Sequence, residues 1–139
     1  MIDYQQPTQF DAAHEVRRQL AVDSLSRTTA DRERSLHALV EQATMLAKAP
    51  IGAISIIDRS QQLIAARVGI DATETLRSES ICSNTILRPG EPLVIFDTTR
   101  DERSASLPMI IGAPYVRFYV GIPLVNLAGY ALGALCVVT

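Results

Sequence analysis

The stretch from Ile51 to Gly69, "IGAISIIDRSQQLIAARVG", decides the fold. Two runs rich in β-branched and apolar residues flank the polar turn Asp58 to Gln61, which is the pattern of a β-hairpin. Upstream the period changes. Leu36, Leu39, Val40, Ala43, Leu46 and Ala47 recur at three- and four-residue spacing and predict an amphipathic helix wide enough to pack on a sheet. Pro50 ends it near Lys48. An earlier helix is predicted from Phe10, Ala13, Val16 and Leu20, with a charged opposite face. The Ser- and Thr-rich segment "AVDSLSRTTAD" separates the two, and Thr28 with Asp31 three residues on has the form of a capping box.

Downstream, "DATETLRS" reads as a polar connection. "SESICSNTIL", Ser78 to Leu87, reads as a short apolar helix with Ser78 or Ser80 as N-cap, terminated by Pro89 and Gly90. "EPLVIFD" is a third predicted strand, and "TTRDERSASLPMIIGAP" holds one or two short helical turns. "YVRFYVGIPLV" and "GYALGALCVV" form a final strand pair joined by "NLAG". Helices gathered at the start and middle of a run of hairpin-connected strands imply an α+β domain with an antiparallel sheet.

With 139 residues, 47% of them apolar and 20% charged, the chain is one domain with a real core. A net charge of -2, with arginines interleaved among acids, argues against a nucleic-acid surface. No signal peptide opens the chain, and no apolar run reaches the ~20 residues of a membrane span, so a cytoplasmic location without direct membrane contact is expected. "ALGALCVVT" stops in strand-like sequence, without a turn or a polar tail, and a fragment of a multidomain protein is expected. Cys82 and Cys136 are far apart and form no CxxC spacing, and His14 and His37 are isolated, so neither a disulfide framework nor a metal site is predicted. No phosphate loop, GxSxG or triad spacing is present, and no catalytic residue or enzymatic activity is expected.

The pieces "ISIID", "ETLR", "SICSNTIL", "PLVIFDTTRDER", "RFYVGIPL" and "GYALGALCV", in this order, resemble a GAF domain of the kind found ahead of bacterial histidine kinases and diguanylate cyclases. The resemblance covers about Arg32 to Val138. It implies a PAS-related antiparallel sheet of five or six strands, with N-terminal helices on one face and a small-molecule pocket on the other. It divides the chain into a helical extension, 1–27, and a sensory domain, 28–139. It names no cofactor. Where the family commonly has alanine and histidine after the cysteine, this chain has Ser83 and Asn84, and no Cys-His pair exists to hold a bilin.

Within such a pocket the candidate ligand contacts are Cys82, Asn84, Asp97, Arg117 and Tyr119. Cys82 reads first as pocket wall, since free cysteine behaves as a small hydrophobe. Asn84 offers an amide donor and acceptor. Asp97 caps a turn or meets the ligand, and Arg117 either reaches a ligand anion or pairs with Asp97 or Asp101. Tyr119 shares the strand face of Arg117, leaving Phe118 toward the helix-packed core. The functional expectation is a regulatory sensor domain that forms a homodimer through its N-terminal helices, with Val16 and Leu20 at the contact, and acts on a C-terminal output domain. The alternatives are a ligand-free dimerisation module and, more weakly, a cysteine-dependent enzyme of the methionine-sulfoxide reductase type.

Overall fold

The computed structural model describes residues 10–25 and 30–139. The capping box at Thr28 and the boundary at 27/28 lie outside the described residues. Helix α1, Ala12–Asp23, and helix α2, Ala30–Ala47, precede the hairpin of β1, Ile51–Ile57, and β2, Gln61–Val68. There follow β3 (Glu74–Leu76), a 3-10 turn (Arg77–Glu79), α3 (Cys82–Thr85), β4 (Leu93–Ile95), α4 (Pro108–Ile111), β5 (Tyr119–Val125) and β6 (Ala131–Val138). The six strands form one sheet in the order β3-β2-β1-β6-β5-β4, antiparallel throughout.

Strand alternation divides the interior into two cores. On one face, Ile54 pairs with Ala66 and Leu135 and meets Val40, which is completely buried. Gly52 lets α2 come this close: a Cβ there would lie 2.6 Å from Thr44 Cγ2. The predicted stripe of α2 is split by this contact. Leu36, Val40 and Ala43 turn toward the sheet, while Leu39 and Leu46 project into solvent with Met45. On the other face, Ala53, Ile57, Ile64, Tyr119 and Cys136 belong to a larger core closed by loops and short helices.

The inward side of helix α1 is its charged one. Val16 and Leu20 are 59% and 63% exposed, whereas Arg18 is fully buried. The reason lies at the strand ends, where carbonyls without a ladder partner need donors. Arg18 Nη1 donates to Ile57 O at 2.8 Å and to Ala131 O at 3.4 Å. Its Nε and Nη2 donate to the Glu15 carboxylate, each at 3.0 Å, and Arg77 Nη1 donates to the same carboxylate at 2.6 Å. α1 is thus pinned to the end of the sheet by charge, not by an apolar stripe.

The other difference is β3, read from sequence as part of a polar connection. Its three residues carry no hydrophobic period and pair with Gln61, Gln62 and Leu63 as a short edge strand. Ser80, not Ser78, caps α3: its Oγ accepts from Ser83 N at 3.0 Å.

Burial alone would raise the Glu15 pKa, but hydrogen bonds and charge from Arg18 and Arg77 outweigh it and lower it from 4.5 to about 2. A depressed carboxylate stabilises the fold fully above the unfolded value and loses that contribution as pH falls from 4.5 toward 2. Glu15→Gln, which leaves Arg18 buried without a countercharge, is expected to cost about 2–4 kcal/mol at neutral pH. Urea unfolding across pH should show the gap between variant and parent narrowing inside that acid window; parallel curves would contradict the ion cluster.

Candidate functional site

The face of the sheet opposite α2 carries a cross-strand row of small residues. Ala53 on β1 pairs with Cys136 on β6, which pairs with Gly121 on β5. The next row contains Ser55 and Ala134. Above this floor lies a cavity of about 260 Å³. Its apolar walls include Ile51, Ile64, Ile70, Met109, Val116 and Val138. The cover is made by the loop after β2, the 3-10 turn leading into α3, and the segment 108–116. Buried hydroxyls brace that last segment: Thr98 Oγ1 donates to Val116 O, and Ser104 Oγ donates to Thr98 O, both at 2.7 Å.

Tyr119 closes one side. Its ring lies across Gly121, where a Cβ would stand 2.2 Å from Oη and 2.7 Å from Cζ, so glycine is what lets the ring lie flat. Oη shares a hydrogen bond with Thr85 Oγ1 at 2.7 Å and lies 3.3 Å from Cys82 Sγ. The fold also brings Cys136 to the same cavity wall and core cluster as Cys82. The sequence separation that set these thiols apart is therefore overturned by β6 running beneath α3. Hydrogen bonding from Cys136, opposed by burial and aided by Tyr119 and Ser55, lowers the Cys82 pKa. The same contact together with burial pushes Cys136 well up, and burial raises Tyr119.

The remaining polar lining comes from Ser55, Gln62, Thr75 and Glu79. Gln62 is 4% exposed; its Nε2 donates to Thr75 Oγ1 at 3.0 Å, while its Oε1 has no hydrogen-bond partner. Sequence reasoning missed this residue. The available signal was parity: Gln62 shares the strand face of Ile64, and it stands opposite the fully buried Ile57.

Of the expected contacts, Cys82 and Tyr119 line the cavity; Asn84, Asp97 and Arg117 do not. Asn84 sits half-buried on α3, two residues after Cys82 and so on another side of the helix. Asp97 caps the turn after β4, its Oδ1 accepting from Thr99 N at 3.0 Å and Thr99 Oγ1 at 2.5 Å, and these bonds lower its pKa. Its ion partner is Arg100. Arg117 is exposed, donates to Ile110 O and Val116 O, and packs over the Tyr115 ring. Strand alternation failed there because β5 begins only at Tyr119; just before it, Arg117 N and Phe118 N both donate to Thr139 O. Phe118 accordingly meets the exposed Phe96 edge to face and does not enter the helix-side core. Among the described residues, no group of three or more His, Cys, Asp or Glu is placed to hold a metal ion. No helix among them is long and apolar enough to cross a membrane.

An antiparallel six-stranded sheet with a helix on one face and a loop-covered cavity on the other defines an α+β domain. The family model for the GAF domain matches residues 31–139, and the chain belongs to that family. A cyclic di-GMP phosphodiesterase of Pseudomonas aeruginosa is 36% identical over 121 residues, covering 87% of this chain; the chain spans 20% of that protein. The GAF domain of a phosphoenolpyruvate-protein phosphotransferase from Coxiella burnetii superposes with a TM-score of 0.63 at 16% identity, covering 91% of this chain and 76% of that one. A free methionine-R-sulfoxide reductase of Neisseria meningitidis, in complex with its substrate, gives 0.62 at 14% identity over 100% of this chain and 81% of that one. These two likenesses establish the fold. The expectation of no enzymatic activity is corrected by the comparison with the phosphodiesterase, an enzyme among the relatives of this chain.

The Tyr119 and Gly121 contact is testable by a double-mutant cycle. Gly121→Ala is expected to cost about 1–3 kcal/mol by overpacking against the ring. In that background Tyr119→Leu, which removes the clashing ring, should cost clearly less than it does alone. Additive unfolding free energies would show that the ring does not depend on the glycine.

Proposed function

We propose that this chain is the sensory GAF domain of a longer bacterial signalling protein, in which a small molecule held in the sheet cavity biases an output domain that turns over cyclic di-GMP. The observation that carries the reading is the loop-covered apolar cavity bordered by a buried amide whose carbonyl oxygen lacks a partner. Native domains rarely leave both volume and an acceptor unused. Membership of the GAF family supports the sensory role, and the named activity of the 36%-identical relative supports phosphodiesterase output over kinase or cyclase output.

A ligand shifts an equilibrium only by its differential affinity for two arrangements. The route available here is short. Glu79 and Ile81 border the cavity, and Arg77, two residues before Glu79, donates to Glu15 on α1. Ordering the cover on a ligand therefore acts on the same ion cluster that docks α1. The exposed apolar residues Val16 and Leu20 on α1, with Leu39, Met45 and Leu46 on α2, supply a homodimer surface through which that change reaches the output domain in the cytoplasm.

The test is thermal unfolding of the chain with a panel of amines, alcohols, amino acids, nucleotides and tetrapyrroles. A cavity ligand at about 100 times its Kd should raise Tm by roughly 5–10 °C. Ala53→Leu, which fills the floor from β1, should keep the far-UV circular dichroism of the parent and lose that response. A panel without effect on either protein would favour the ligand-free dimerisation module.

A further inference from the structure

We infer that the cavity selects a small, largely apolar molecule ending in a protonated amine. This rests on the sensory reading above and adds the ligand class. Size sets the first limit. At about 260 Å³ the cavity lies below the ~300–1,000 Å³ of sites for drug-sized ligands, which is too small for a cyclic dinucleotide.

Charge sets the second. Among the described residues, no Arg, Lys or His lines the cavity, and the one carboxylate there is Glu79. A phosphate or carboxylate ligand would be taken out of water beside a like charge with no cation to compensate. The nearest cation in sequence, Arg77, is committed to Glu15 and to Asp58 O.

Hydrogen-bond direction sets the third. Thr75 Oγ1 donates to Leu76 O and so accepts from Gln62, which orients the Gln62 amide with Nε2 toward Thr75 and leaves Oε1 as the unused acceptor. Glu79 belongs to the turn that continues directly from β3, whose Thr75 pairs with Gln62, so the two acceptors approach the cavity from one corner of the fold. Two acceptors, one of them charged, require a ligand that brings donors, and a protonated amine brings three of them with the complementary charge. The aliphatic walls then take a hydrocarbon body.

The experiment titrates the chain with phenethylamine, phenethyl alcohol and 3-phenylpropanoate, following backbone and methyl NMR shifts of cavity residues. The amine should bind with the alcohol about tenfold weaker and the carboxylate without measurable affinity. Glu79→Gln should weaken the amine about 10–100-fold and leave the alcohol unchanged, and Gln62→Leu should weaken both. Preferred binding of the carboxylate, or an amine affinity indifferent to Glu79→Gln, would overturn the inference. It would equally fall if Gln62→Leu left every affinity intact, the sign of an ordered water alone on Oε1. If other compounds of the panel occupy the cavity and amines do not, the inference fails alone. If nothing occupies it, the sensory reading fails with it.

Discussion

Strand β1 is hydrogen-bonded along both edges and covered on both faces, so Ala53 and Ile57 belong to one interior and Ile54 to the other. Everything else in the domain answers that constraint. On the α2 face the positions opposite Ile54 are Ala66 and Leu135, and a regular helix can fill the space with Val40 and Leu36. On the other face β1 offers Ala53 and Ser55, and its partners offer Cys136, Ala134 and Gly121. Small side chains there leave space beneath the cover, and the covering backbone is irregular. Close packing on one face and leftover volume on the other thus come from the same alternation.

The irregular cover raises a polar problem, because backbone away from the ladders still needs partners. Side chains supply them. Thr98 and Ser104 brace one half of the cover, while Ser80 caps α3 in the other. Glu15, held between Arg18 and Arg77, joins the cover to α1 and to the end of β1. Such a cluster is a poor source of raw stability, since burying charge is costly, but it is specific in geometry and sensitive to displacement. It places the cavity and the helices in one mechanical unit.

Much of this was legible in the sequence because the relevant signals are local and periodic. The hairpin from Ile51, the helix ending near Lys48, the final strand pair and the cap at Ser80 follow from alternation, three-to-four spacing and turn chemistry. What escaped depended on contacts between distant segments. β3 is a strand only because β2 has a free edge. Arg18 is buried only because two strand ends meet under α1, and its charge made the wrong face look like the outside. Arg117 was placed by extending strand alternation two residues past where β5 begins. Gln62 could have been preferred to Asn84 by its parity with Ile64, but the neighbouring Gln61 made the choice of inward glutamine depend on a register that only the folded hairpin fixes.

We propose the space above Ala53 and Cys136 as a binding site. Native mass spectrometry of the chain, purified from bacterial cells and compared with its denatured mass, tests this most directly. The expected result is a non-covalent adduct that survives gentle ionisation, disappears on denaturation and is missing from a chain whose cavity has been filled. Identical native and denatured masses, unchanged after exposure to cell metabolites at millimolar concentration, would contradict it.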